Sequence, residues 1–171
     1  MGLRGILLYT LRAGAFAVAV TGIYVLICRL CGRRPGWVRL LAVAYVAALI
    51  QITVLRGGVD WQGLGSARPF PQLIPLKTTI EEARAGLWPL IYHSVGNLIW
   101  FVPLGLLLGR GGLLRAMAIG AALSIGIEIM QYLLMTGMTD IDDVILNALG
   151  SGMGWTIQRH IKQRHKKHGF E

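Results

Sequence analysis

Charged residues are scarce in this chain. Only 15% of its 171 residues are charged, and just eight are acidic, whereas a soluble domain carries about 25% charged residues. Hydrophobic residues make up 54% of the sequence, which is more than a globular core of this size buries. The composition therefore excludes an ordinary soluble domain and predicts an integral membrane protein.

Cysteine is almost absent as well. The two cysteines, Cys28 and Cys31, form one pair, and no second pair completes the four ligands of a zinc site. We place them on the cytosolic side, where thiols stay reduced. The glycines at 109–112 lack the Lys-Ser/Thr of a phosphate loop, so they predict a turn. We therefore expect no metal, no cofactor and no structural disulfide.

Long apolar segments, by contrast, recur along the chain. A helix needs roughly 20 apolar residues to cross a bilayer. Five segments reach or approach that length, at residues 6–28, 38–55, 87–108, 113–134 and 141–158. The predicted fold is all-α: a polytopic transmembrane bundle of about five helices that forms a single membrane domain over residues 1–171. The first segment has no small-residue cleavage site, so we interpret it as a retained helix.

Basic residues indicate the orientation of these helices, because positive charge accumulates on the cytoplasmic side. They cluster at residues 29–39, at 110–115 and in the tail at 159–171. If all three clusters are cytoplasmic, the N-terminus lies outside, together with the loop at 56–88 and the aspartates near 140. The net charge of +9 then reflects topology and contact with anionic lipid, so no nucleic-acid partner is expected.

The outer loop at 56–88 has a distinct composition. Its three prolines, Pro69, Pro71 and Pro75, are incompatible with a helix in that part of the loop. In its second half, Thr78 or Thr79 is predicted to cap a short helix, with Glu81 or Glu82 three residues on. A loop of this length is often functional, and we predict that it covers the outer ends of the helices like a lid.

Polar side chains recur at helical spacing inside the last three apolar segments. One helical face carries His93, Asn97 and Phe101, a second carries Ser124, Glu128 and Gln131, and a third carries Asp143, Asn147 and Gly150. With a rise of about 1.5 Å per residue, the predicted orientation puts these groups in the outer leaflet. We therefore predict an outward-opening polar pocket, rimmed by Asp140, Asp142 and Asp143 and floored by Asn97, Glu128 and Asn147.

Each of these residues also has a structural interpretation. Glu128 could pin helices together by bonding to amide side chains, and a lone histidine such as His93 could be incidental. Aspartates at a helix start cap backbone amides, although three in four residues exceed that need. The residues assigned to helix packing are Phe101, Pro103, Gly105, Gly150 and Gly154.

Three spaced patterns carry a family resemblance. The first, Asn–x3–Phe–x–Pro–x–Gly, falls on Asn97, Phe101, Pro103 and Gly105. The second, Ser–x3–Glu–x2–Gln, falls on Ser124, Glu128 and Gln131. The third, Asp–x2–Asp–x3–Asn–x2–Gly, falls on Asp140, Asp143, Asn147 and Gly150. Together with QLIPLKTTI upstream, they resemble the VanZ family over roughly residues 71–154. One departure is Gln72, since the family often has Asn-Leu-Ile-Pro-Phe where this chain has Gln-Leu-Ile-Pro-Leu.

The resemblance implies a multi-pass bacterial cell-membrane protein linked to glycopeptide (teicoplanin) resistance or cell-envelope maintenance. The predicted ligand-binding residues are Asn97, Glu128, Gln131, Asp140, Asp143 and Asn147. The expected partners are membrane lipids, a lipid-linked peptidoglycan precursor or a glycopeptide antibiotic.

The alternative is an intramembrane enzyme acting on a lipid-linked envelope substrate. Its catalytic candidates are Glu128 and Asp143 as an acid–base pair, and a variant has Asp140, Asp143 and His93 hold a divalent ion. No activated nucleophile is evident in the sequence. A proton path through Glu128 is disfavoured, because the chain has no inverted repeat.

Overall fold

The computed structural model describes residues 3–55, 70–109 and 111–168. Six helices account for most of these residues: α1 (Leu3–Leu30), α2 (Trp37–Thr53), α3 (Lys77–Ala85), α4 (Leu87–Leu107), α5 (Leu113–Leu134) and α6 (Ile141–His168). The all-α prediction is confirmed. The first half of the predicted outer loop, residues 56–69, lies outside the described residues, as do Arg110 and the last three residues of the basic tail.

Three of the helices are long and apolar enough to cross a membrane. Within the described residues these are Thr10–Leu30, Leu87–Leu107 and Leu113–Leu134. Helix α2 is also apolar but has only 17 residues, and α6 combines a glycine-rich first half with a basic second half. The membrane class of the chain is thereby supported, while the five crossings and the orientation of the termini stay predictions.

The chain forms two compact units. The first comprises Met1–Ser66 with Leu133–Gly137, and the second comprises Ala67–Tyr132 with Met138–Glu171. The single domain predicted over residues 1–171 therefore stays a prediction.

In the first unit, α1 packs along α2, and the turn between them follows a regular helix-ending pattern. Gly32 takes the left-handed conformation with φ 68°. Its N–H donates to the Arg29 carbonyl at 3.0 Å, and the Arg33 N–H donates to the Cys28 carbonyl at 2.8 Å. These two bonds form a Schellman motif, which satisfies the last carbonyls of α1.

The second unit depends on close contact between α4 and α6. A Cβ atom at Gly150 would collide with the Leu98 carbonyl, and one at Gly154 would collide with the Val102 carbonyl. From the other side, a Cβ atom at Gly105 would collide with α6 backbone. The two backbones therefore touch, as small residues permit.

The other residues assigned to packing also lie on α4. Phe101 is buried, and Pro103 lies within the helix. Helix α5 approaches α6 in a similar way, because a Cβ atom at Gly120 would lie 2.7 Å from the Ser151 Cβ. Contact of α6 with both neighbours fixes where its first residues lie, and the site is built there.

These contacts predict a large difference between two glycines when each is changed to alanine. Gly154→Ala forces α4 and α6 apart and should cost about 1–3 kcal/mol, as overpacking does. Gly96→Ala is the matched control, since its Cβ would meet no atom within 4 Å. Thermal unfolding in detergent should show a lower Tm for the first variant only. Equal Tm values would contradict the proposed backbone contact.

Candidate functional site

Asp140 caps the start of α6. Its Oδ1 accepts the Asp142 N–H at 2.9 Å, which satisfies one of the amides that have no partner in the first turn of a helix. Its own N–H donates to Glu128 Oε2, also at 2.9 Å. Asp140 therefore joins the start of α6 to the buried carboxyl of α5.

Asp142 caps a different helix. Although it lies in the first turn of α6, its carboxylate reaches the start of α3 and accepts the N–H of Leu76. It also accepts the N–H and the Oγ1–H of Thr79, both at 2.9 Å. Asp142 is only 1% exposed, so its carboxylate is committed to the start of α3 and does not face solvent.

This arrangement corrects the sequence prediction for α3. Neither Thr78 nor Thr79 is the N-cap; that position is Leu76, at φ 63° and with no side-chain cap bond. The predicted capping box with Glu81 or Glu82 is therefore wrong. A carboxylate from another helix meets the same need, which leaves both glutamates without a capping role.

The segment before α3 docks on the start of α6 through backbone bonds. The Gln72 N–H donates to the Thr139 carbonyl at 2.8 Å, and the Ile141 N–H donates to the Gln72 carbonyl at 2.9 Å. The Gln72 side chain bonds to the N–H and carbonyl of Ile74. At the position where the family often has asparagine, this glutamine thus stabilises the docked turn.

Asp143 gathers the polar side chains of α4. Its Oδ1 lies 2.7 Å from His93 Nε2 and accepts the Asn97 Nδ2–H at 2.6 Å. The other imidazole nitrogen, Nδ1, lies 2.9 Å from Glu82 Oε2 on α3, at ion-pair distance but without hydrogen-bond alignment. A continuous polar chain therefore runs from α3 through α4 to α6.

Glu128 completes this group, which we call the carboxylate cluster and define as Glu82, His93, Asn97, Glu128, Asp140, Asp142 and Asp143. Glu128 is only 4% exposed. Its carboxyl accepts the Asp140 N–H at 2.9 Å, so Glu128 links α5 to the start of α6.

The predicted floor of the pocket is only partly assembled. Asn97 bonds to Asp143 and Glu128 bonds to Asp140. Asn147 lies one turn further along α6, and its Nδ2–H donates to Ser124 Oγ at 2.8 Å. Its Oδ1 accepts no hydrogen bond from the described residues. Gln131 lies one turn beyond Glu128 and is half-buried. Asn147 and Ser124 therefore form a second polar contact between α5 and α6.

Three members of the cluster, Glu82, His93 and Asp142, were not among the predicted ligand-binding residues; His93 appeared only in the metal variant of the enzyme hypothesis. Asp142 belonged to the aspartate group, but nothing in the local sequence indicates which helix it caps. Glu82 was assigned to capping. No group of three or more His, Cys, Asp or Glu residues suited to a metal ion occurs in the described part of the chain.

The fold and the cluster together define a helical membrane protein organised around buried acids at helix starts. The chain belongs to the VanZ/LLP1 family, whose model matches residues 42–162. It is 36% identical over 80 residues to Protein VanZ of Enterococcus faecium, and this match covers 42% of the chain and 50% of that protein. The match thus spans about half the length of this relative. No solved structure matches the chain.

The capping role of Asp142 leads to a test of α3. In Asp142→Asn, an amide nitrogen faces an N–H donor, so at least one buried donor loses its acceptor at a cost of about 1–3 kcal/mol. Hydrogen exchange of a peptide covering residues 76–85 should therefore accelerate. Glu81→Gln removes an exposed carboxylate from α3 itself and should leave exchange unchanged. Unchanged protection in Asp142→Asn would show that α3 does not depend on this cap.

Proposed function

We propose that the carboxylate cluster binds the polar head of an amphipathic envelope ligand, and that this binding underlies a role in teicoplanin resistance or envelope maintenance. The observation that carries the proposal is the partial exposure of one part of the cluster. The side chains of Glu82, His93 and Asp143 are 27%, 20% and 22% exposed, whereas the other carboxyls are buried.

The buried and the exposed carboxyls have different partners. Asp140, Asp142 and Glu128 accept backbone N–H groups that would otherwise lack acceptors. Asp143 instead pairs with the side chains of His93 and Asn97. Side-chain partners can rotate away when a ligand arrives, whereas backbone partners cannot. Glu82, His93 and Asp143, which we call the exposed group, are therefore the part of the cluster that can replace its internal hydrogen bonds with bonds to a ligand.

The segments that carry this group also present apolar side chains. Exposed apolar residues in the docked turn, on α3 and beside His93 include Leu73, Ile74, Leu76, Ile80 and Tyr92. These apolar neighbours suit a ligand that has an apolar tail and a polar head group with hydrogen-bond donors. A membrane lipid, a lipid-linked peptidoglycan precursor and a glycopeptide antibiotic all fit that description. In the predicted orientation, the ligand enters from the outer leaflet.

The alternative function is an intramembrane enzyme on a lipid-linked envelope substrate. The burial of Glu128 and its bond to Asp140, three residues before Asp143, favour it, because neighbouring carboxyls can act as acid and base. Against it, both His93 nitrogens face carboxylates rather than a hydroxyl or thiol. A histidine that activates a nucleophile would contact that nucleophile directly.

Glycopeptide susceptibility tests the role of the exposed group. In a teicoplanin-susceptible host, the wild-type chain should raise the minimum inhibitory concentration. Asp143→Asn and Glu82→Gln should return it to the value of the empty vector, because each removes a charge at the exposed surface of the cluster. Glu81→Gln, one residue away and exposed, is the matched control. Full protection by Asp143→Asn at normal protein levels would refute the binding proposal.

Glu128→Gln separates the two functions in the same assay. Glutamine keeps an acceptor for the Asp140 N–H, so a binding site should retain protection. An enzyme that moves a proton through Glu128 should lose it. Loss of protection at normal protein levels would therefore favour the enzyme.

The orientation of the site can be tested with single cysteines. In a background in which Cys28 and Cys31 are serine, Met138→Cys is exposed beside the start of α6. A membrane-impermeant maleimide should label it in intact cells, because the predicted topology puts it outside. Gly112→Cys, in the turn between α4 and α5, should be labelled only after lysis. The reverse pattern would invert the topology.

A further inference from the structure

A groove rich in arginine lies at the turn between α1 and α2. Its volume is about 610 Å³, and its lining comprises Val25, Arg29, Gly32, Arg33, Arg34, Pro35 and Leu40. The Schellman motif at Gly32 fixes the backbone from which Arg33 and Arg34 extend. No acidic residue is among the lining residues, so three positive charges face this space without a lining counter-charge.

An apolar groove continues from it along the two helices. This second groove has a volume of about 380 Å³ and is lined by Ala17, Val18, Thr21, Gly22, Val25 and Ala44. Val25 lines both grooves. The hydroxyl of Thr21 donates to the Ala17 carbonyl at 2.7 Å, which leaves its methyl group and the small neighbouring side chains as the wall.

The two grooves together have the dimensions of one lipid leaflet. From Arg29 to Ala17 along α1 is about 18 Å at 1.5 Å per residue, and half of a typical hydrocarbon core is about 15 Å. The charged end of the groove therefore lies at headgroup depth when the apolar end reaches the middle of the bilayer. A Cβ atom at Gly22 would meet no atom within 4 Å, so this part of the groove is open.

We infer that α1 and α2 form a binding site for an anionic phospholipid, with the phosphate on Arg29, Arg33 and Arg34 and one acyl chain in the groove beside Gly22. Guanidinium groups bind phosphate through paired, charge-assisted hydrogen bonds, and basic sites beside membrane helices recruit anionic headgroups. This site is formed by α1 and α2 alone and shares no residue with the carboxylate cluster, so it is independent of the proposed function.

Native mass spectrometry of the full-length protein in detergent tests the headgroup contacts. Added palmitoyl-oleoyl phosphatidylglycerol should be retained in preference to the matching phosphatidylcholine. Replacing Arg29, Arg33 and Arg34 together with glutamine should weaken retention by at least about tenfold. The matched control replaces Arg39, Arg84 and Arg164 with glutamine, which removes the same charge from residues outside the groove. Equal weakening in both triple variants would show non-specific attraction and overturn the site.

A second pair of variants tests the acyl chain. Gly22→Leu fills the open groove and should weaken phosphatidylglycerol retention several-fold without unfolding the protein. Gly14→Leu is the control on the same helix, since its Cβ also meets no atom within 4 Å and it does not line the groove. Millimolar inorganic phosphate should not displace the lipid. Displacement by phosphate, or an unaltered affinity in Gly22→Leu, would contradict a lipid site.

Discussion

The amides at the starts of α3 and α6 are the constraint on which the second unit depends. The first four N–H groups of any helix lack intrahelical acceptors, and lipid supplies none. Two aspartates in one helical turn meet this need for both helices: Asp140 caps α6, and Asp142 caps α3. A chain with only eight acidic residues therefore concentrates them where backbone donors would otherwise be buried without partners.

This constraint also explains why the remaining acids lie close together. Once Asp140 is fixed at the start of α6, its own N–H needs an acceptor, and Glu128 of α5 supplies it. The same turn of α6 then directs Asp143 towards α4, where His93 and Asn97 bond to it. The carboxylate cluster is thus a consequence of helix capping, and the proposed function uses only its exposed part.

The sequence predicted part of this arrangement and failed at identifiable places. Helical spacing put His93 and Asn97 on one face of α4, and both side chains reach Asp143 of α6. The predicted pocket floor instead grouped Asn97 with Asn147, which lies one turn further along α6 and bonds to Ser124. The predicted box at Thr78 and Thr79 failed because it used only local residues, whereas the acceptor is Asp142, more than 60 positions away. Helical spacing also could not predict which of Glu81 and Glu82 faces the site. Helix α3 has no long apolar face that would fix its rotation, and in the structure it is Glu82 that lies beside His93.

The docking of α3 limits how the outer loop can act as a lid. Helix α3 is held at its start by the buried Asp142 carboxylate, which accepts three hydrogen bonds from Leu76 and Thr79. A second attachment, between Glu82 and His93, is partly exposed. Under the proposed function, a ligand that replaced Glu82 at His93 would break only the second attachment, because the Asp142 carboxylate is buried. Helix α3 then stays at its cap while its later turns shift, so local rearrangement near Glu82 is favoured over opening of the whole segment.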